Sequence, residues 1–245
     1  MHNKKIRIAK LLSYYNQGSR REIEKLINQK KIYLNNHLVQ SPVTFANEED
    51  RIIVNDKIVV FKKEVEVFKF YKPYEVICSK NKQDNKKIIY EILDEKFKNF
   101  IFAGRLDFKS EGLLILSNTS DLTRNLELPK NRFERKYEVR VFGFMNIDIL
   151  RKKSQGCIVD GIKYRPFKFK IKSKIKKNTI IEMILTEGKK NEIREIFKSM
   201  NLQVNRLKRL SFGPFTLGNM KPGELKKLTK KEIMNYENYI GNKKG

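Results

Sequence analysis

Gly104-Arg105-Leu106-Asp107-Phe108-Lys109-Ser110-Glu111-Gly112, running on into Leu113-Leu114-Ile115-Leu116, decides how this chain is read. Two glycines bound a polar loop, and the apolar run behind it reads as a buried strand. The loop therefore stands at the rim of a sheet, with Asp107 placed to be held by a cation and aimed at a ligand. Arg105, two residues earlier, can meet a phosphate or form a structural salt bridge.

Outward from that loop, periodicity predicts strands at Val65–Tyr71, Glu75–Ser79, Gly112–Ser117, Lys136–Phe142, Tyr164–Ile171, Thr179–Leu185 and Asn205–Phe212. Helices are predicted at Lys87–Asp94, Asp121–Leu126, Ile147–Gln155, Lys190–Met200 and Lys230–Tyr239. Strands without regular βαβ alternation give an α+β fold around a mixed, largely antiparallel sheet flanked by helices. Residues 6–60 form a smaller module. Ile8, Leu11, Leu12 and Tyr15 share one helical face, and Ser19-Arg20-Arg21-Glu22 is a capping-box pattern opening a second helix. Short strands follow, joined by the turns Asn35-Asn36 and Asn55-Asp56. Residues 61–64 read as a linker, so two domains are expected, 1–61 and 62–245.

Lys and Arg number 54 against 28 Asp and Glu, a formal charge of +26. Compositional bias supplies part of the lysine excess, but arginines fall inside the motifs. The balance is that of a protein that binds a phosphate backbone. Cys78 and Cys157 stand far apart and only His2 and His37 are present, which disfavours a disulfide framework, a metal site and a His-based triad. No run has the length of a membrane span and no secretory leader is visible, so a cytoplasmic protein is expected.

The N-terminal module resembles an S4 RNA-binding domain, on Gly18-Ser19-Arg20-Arg21-Glu22-Ile23-Glu24-Lys25-Leu26-Ile27 and the strands after it. Arg20 and Arg21 occupy the first turn of a capped helix, where guanidinia and backbone N–H groups can converge on phosphates. The larger part resembles pseudouridine synthases of the bacterial RsuA/RluB family. Its stations, in order, are Tyr71-Lys72-Pro73, Gly104-Arg105-Leu106-Asp107 with Gly112-Leu113-Leu114, Lys136-Tyr137-Glu138-Val139, Glu187-Gly188-Lys189-Lys190-Asn191-Glu192-Ile193-Arg194, and Arg206-Leu207-Lys208-Arg209 with Pro222-Gly223-Glu224. Departures are Glu75, near where relatives often place glycine, Glu195, where they commonly carry a basic residue, and Lys189-Lys190-Asn191, in place of a more Arg- or His-rich run.

The resemblance implies isomerisation of uridine to pseudouridine, with Asp107 as the catalytic carboxylate. Breaking an N-glycosidic bond develops positive charge at C1′ of the ribose, which a carboxylate stabilises. Arg194, beside the buried stripe of its helix, is the expected partner that keeps Asp107 ionised and oriented. Tyr137 can stack on an extruded uracil and assist removal of the C5 proton. Lys72, Arg105, Lys189 and Lys190 are the further expected RNA contacts.

No metal or organic cofactor is called for, because isomerisation is redox-neutral. The expected partner of a monomeric enzyme is ribosomal RNA or a ribosome-assembly intermediate. The late Arg206–Arg209 run leans toward large-subunit RNA. The alternative is a non-catalytic RNA-binding assembly factor on the same fold, which loss of Asp107, Tyr137 or Arg194 would favour; all three are present. A methyltransferase lacks its glycine-rich turn, and a zinc deaminase lacks its ligands.

Overall fold

The computed structural model describes residues 5–15, 17–61, 65–79, 82 and 85–244, with side chains to residue 241. The chain divides into two compact units. One is Met1–Glu66 with Asn99–Ile101 and Ser117–Asp121; the other comprises Val67–Lys98, Phe102–Leu116 and Leu122–Gly245. Residues 62–64 of the expected linker lie outside the described residues.

The N-terminal elements are β1 (Ile6–Arg7), α1 (Ile8–Tyr14), α2 (Arg20–Asn28), β2 (Ile32–Leu34), β3 (His37–Leu38), β4 (Phe45–Ala46), β5 (Ile52–Val54) and β6 (Lys57–Ile58). The capping box is formed: Glu22 N–H donates to Ser19 Oγ at 3.3 Å, and Ser19 N–H donates to Glu22 Oε2 at 2.6 Å. Ile8, Leu11 and Leu12 of α1 meet Ile23 and Ile27 of α2 in a core closed by Ile32 and Ile52. Asn35-Asn36 and Asn55-Asp56 both take positive φ, between 46 and 69°. Two such residues in a row are what a tight hairpin needs to match the twist of its strands. They join the antiparallel order β3-β2-β5-β6.

From β7 (Val67–Lys72) onward come β8 (Ile101–Ala103), β9 (Glu111–Ser117), α3 (Ser120–Glu127), β10 (Arg135–Phe142), α4 (Ile147–Ser154), β11 (Cys157–Val159) and β12 (Ile162–Tyr164). β13 (Lys168–Ile175), β14 (Asn178–Leu185), α5 (Glu192–Lys198), β15 (Gln203–Phe212), β16 (Phe215–Thr216), β17 (Leu225–Lys227) and α6 (Lys230–Lys244) complete the chain. Nine strands form one sheet, in the order β13-β14-β10-β15-β9-β7-β17, with β8 on β9 and β16 on β15. β9 runs parallel to β15, whereas β13–β14, β14–β10, β10–β15 and β7–β17 are antiparallel. Every residue of β9 is buried, as its unbroken apolar run requires of a central strand covered on both faces. Leu122 and Leu126 of α3 and Tyr236 of α6 pack on Leu113 and Ile115 of that strand.

Four expected elements come out differently. Glu75–Ser79 is no strand, only a bridge between Ile77 and Ile88, because Glu75 turns the chain at φ 58°. Lys87–Asp94 shrinks to a 3-10 turn at Ile89–Glu91, since Ile88 stays extended in that bridge. Tyr164–Ile171 splits into β12 and β13, because Pro166 has no N–H to donate to a ladder. α5 is shorter than predicted, starting after Asn191 at φ 55°.

Candidate active site

The loop ahead of β9 is fastened through four consecutive carbonyls. Asp107 O accepts from Ser110 N–H at 3.0 Å, closing a turn, and Phe108 O accepts from Glu75 N–H at 2.9 Å. Lys109 O accepts from Arg194 Nη2 at 2.5 Å, and Ser110 O accepts from Lys72 Nζ at 2.6 Å. Different parts of the fold therefore fix one short backbone segment, the arrangement that holds a reactive group without using its own side chain. The Asp107 side chain is exposed, and among the described residues its carboxylate accepts no backbone N–H. It is thus not serving as a loop cap.

Arg194 differs from expectation in its partner. It makes no direct ion pair with Asp107 among the described residues; its Nη1 donates to Val204 O at 2.8 Å while Nη2 holds Lys109 O. One guanidinium so ties α5, β15 and the loop together. Burial lowers the Arg194 pKa, and the negative charge of Asp107 works against that shift, so the two groups feel one another across the site. Arg194 thus braces the loop backbone.

Lys72 requires a correction. It is fully buried rather than presented to RNA, with Nζ donating to Ser110 O and, at 2.9 Å, to Pro73 O. Burial pulls its pKa down to about 8, and Cys78, Asp107 and Glu111 oppose that fall. The two carbonyls give its buried ammonium hydrogen-bond partners, which is what lets it turn inward.

Tyr137 lies on β10, 9% exposed, on the buried side with Val139 and Val141. In register it faces Arg209 of β15, which in turn faces Gly112 of β9. Tyr137 and the end of the loop thus stand level, two strand spacings or roughly 10 Å apart. Gly112 makes that approach possible: at φ 107°, a β-carbon there would lie 2.4 Å from Arg209 O. Arg209 itself is buried, donating through Nε to Leu113 O at 2.7 Å and lying 4.9 Å from the Phe212 ring centre.

The other expected contacts are dispersed. Arg105 and Lys190 are exposed near the loop and before α5 respectively, and Arg20 and Arg21 are exposed on the first turn of α2. Lys189 is exposed but engaged, 3.4 Å from Glu187 and bonded to Lys163 O.

Residue patterns alone did not reveal Glu111 as a lock. It is buried, accepting from Tyr71 Oη at 2.8 Å and from Arg206 Nε. Burial works against its ionisation, but Arg206 and Tyr71 prevail and hold its pKa below the usual carboxylate range. Its place directly after Ser110, at the mouth of an apolar strand, was the only signal. A pocket of about 550 Å³ also opens beside the loop, lined by Tyr74, the cations Lys109, Arg194 and Lys198, the amides Gln203 and Asn205, and one carboxylate, Glu195. Aromatic, cationic and amide groups together suit a ribonucleotide. Among the described residues no three His, Cys, Asp or Glu side chains cluster to hold a metal ion, and no helix is long and apolar enough to cross a membrane.

Comparison with known proteins identifies the family and the fold. The RNA pseudouridylate synthase family matches residues 66–199 and the S4 domain matches residues 6–52. A Rickettsia felis protein named as an uncharacterized RNA pseudouridine synthase is 36% identical over 225 residues, covering 92% of this chain and 97% of its own. The ribosomal large subunit pseudouridine synthase B of Buchnera aphidicola is 30% identical, covering 96% of this chain and 97% of its own. A solved pseudouridylate synthase shares the fold, with a TM-score of 0.66 at 24% identity over 94% of this chain and 98% of that one.

Proposed function

Because the chain belongs to the RNA pseudouridylate synthase family, we propose that it isomerises a specific uridine of ribosomal RNA, with Asp107 as the essential carboxylate. It is an RNA pseudouridine synthase, an isomerase, joined to an S4 domain. The observation that carries the role of Asp107 is the loop itself: four carbonyls are clamped while the exposed carboxylate stays uncommitted.

In this reading the target uridine is extruded, at a cost of a few kcal/mol that an unpaired or bulged site reduces. The Asp107 carboxylate meets C1′ as the glycosidic bond breaks and stabilises the charge developing there. The freed uracil turns, C5 joins C1′, and the C5 proton leaves with assistance from the Tyr137 hydroxyl. The pocket lined by Tyr74, Lys109 and Lys198 receives ribose-phosphate beside the reacting nucleotide. Residues 1–61 act as the S4 domain, where Arg20 and Arg21 grip phosphates, and residues 62–245 as the catalytic domain. Arg105, Lys189 and Lys190 add contacts around the cleft.

Large-subunit RNA is favoured by the Buchnera relative's name. The test is tritium release from ribosomal RNA transcripts carrying 5-tritiated uridine. Release confined to one uridine of the large-subunit transcript is expected; release from neither subunit's RNA, free or in assembly particles, would refute the assignment.

A further inference from the structure

The side of the sheet turned away from Tyr137 has no part in the chemistry above. Alternation along β10 puts Lys136, Glu138, Arg140 and Phe142 on that side, partly or fully exposed. Register continues the same side to Glu182 and Ile180 of β14 and then to Lys168 and Lys170 of β13, which forms the edge of the sheet. In the other direction it continues to Lys208 and Arg206 of β15. Carboxylates offset part of this charge: Glu134 lies 3.9 Å from Lys168 and Glu111 holds Arg206, while Arg140, Lys170 and Lys208 make no ion pair among the described residues. Glu182 is shared between Lys136 at 3.3 Å and Lys172 at 3.5 Å, and Glu138 stands next to it in register.

One corner of this side is apolar. Phe142 is 42% exposed, Ile175 68% and Phe144 80%. Phe142 and Ile175 flank Asn178 in register, and Arg140 Nε donates to Asn178 Oδ1 at 3.4 Å. Lys177 Nζ stands 5.1 Å from the centre of the Phe144 ring. Rings left in water forgo the benefit of burial, so such a cluster marks a surface that meets something else. Exposed rings interleaved with cations match one ligand chemistry in particular, unpaired nucleic acid, whose bases stack while its phosphates pair with Lys and Arg.

We propose that this side, with its Phe142–Phe144 corner, is a second RNA-binding surface that takes an unpaired stretch of the substrate RNA. Bases lie on the exposed rings, and phosphates run along the β13 and β10 cations. The proposal rests on the RNA-directed reading of the chain, not on its isomerase activity. An acidic protein would satisfy the cations but would leave the rings without a stacking partner.

The chain contains no tryptophan, so Phe144→Trp introduces a single indole at an exposed position. Titration with a short oligouridylate at low salt should quench that indole saturably, while Met234→Trp, an exposed control on α6, stays bright. Adding Lys170→Glu and Lys172→Glu to the Phe144→Trp protein should weaken the quenching constant about tenfold, because two phosphate contacts become repulsive. An unquenched Phe144→Trp, or equal quenching of the control, would overturn the proposal. Quenching by polyglutamate in place of oligouridylate would also overturn it, and would give the surface to an acidic protein. No turnover is read, so a failure of the isomerase assignment shows separately, in the tritium release experiment.

Discussion

Glu75 sits in the left-handed region, at φ 58°, while its N–H holds Phe108 O. A β-carbon there costs about 1 kcal/mol that glycine would avoid. The resemblance puts a glycine near this position in many relatives, and a left-handed backbone is one that glycine suits. Glu75→Gly should raise stability by about 0.5 kcal/mol, less than the full relief because glycine also loosens the unfolded chain; a urea midpoint reads the change. Glu192 is the second residue out of its ordinary state. Burial raises its pKa to about 7, with Glu187 adding to the rise and the N–H of Lys189 opposing it. The folded chain therefore keeps this proton to a higher pH than the unfolded chain, and the stability so gained is present below about 4.5 and lost as pH rises through 7. Glu192→Gln keeps an acceptor for Lys189 but has no proton to lose. Relative to the native protein it should gain up to about 3 kcal/mol between pH 5 and pH 8; parallel stability curves for the two proteins would contradict this. The motifs nominate Asp107, Tyr137 and Arg194, but do not give their contacts. A lysine before proline reads as solvated, and only the arrangement of loop carbonyls reveals that Lys72 turns inward. Arg194 likewise meets backbone, because β15 and the loop bring two carbonyls to it before any side chain.

Among the elements, the parallel pairing of β9 with β15 does most to place the site, since it sets the loop level with Tyr137. Gly112 permits it, and alanine would press a β-carbon against backbone atoms of Arg209 at 2.4 and 2.7 Å, in a φ that disfavours any side chain. Neither strand can give way, so Gly112→Ala should lose about 3 kcal/mol or more and activity with it; near-native urea unfolding would show that the strands tolerate separation. Strands of alternating or continuous apolar character were legible, as in β9, β10 and β14. Breaks were less so. Pro166 interrupts a run whose composition reads as one strand, and the extended Ile88 stops a helix that its neighbours' spacing favours. In both, a single backbone constraint outweighs the side-chain period.

At the scale of the molecule, charge and domain order were the most readable features: +26 overall, an S4 module and then a synthase fold. Sheet order was not readable, because the crossover that inserts β15 between β10 and β9 joins strands far apart in sequence. If the exposed Arg20 and Arg21 grip phosphates, replacing both with alanine should weaken RNA binding while leaving kcat unchanged. The slope of log affinity against log salt should fall by about 1.4–1.8 for two lost contacts; an unchanged slope would remove them from the interface. The proposed chemistry turns on Asp107. Its most direct test compares single-turnover tritium release from 5-tritiated ribosomal RNA by the native protein and by Asp107→Asn, which preserves shape and removes the charge. Loss of release on the order of a thousandfold or more, with RNA affinity unchanged, is the predicted result; release by the variant at a rate near native would contradict it.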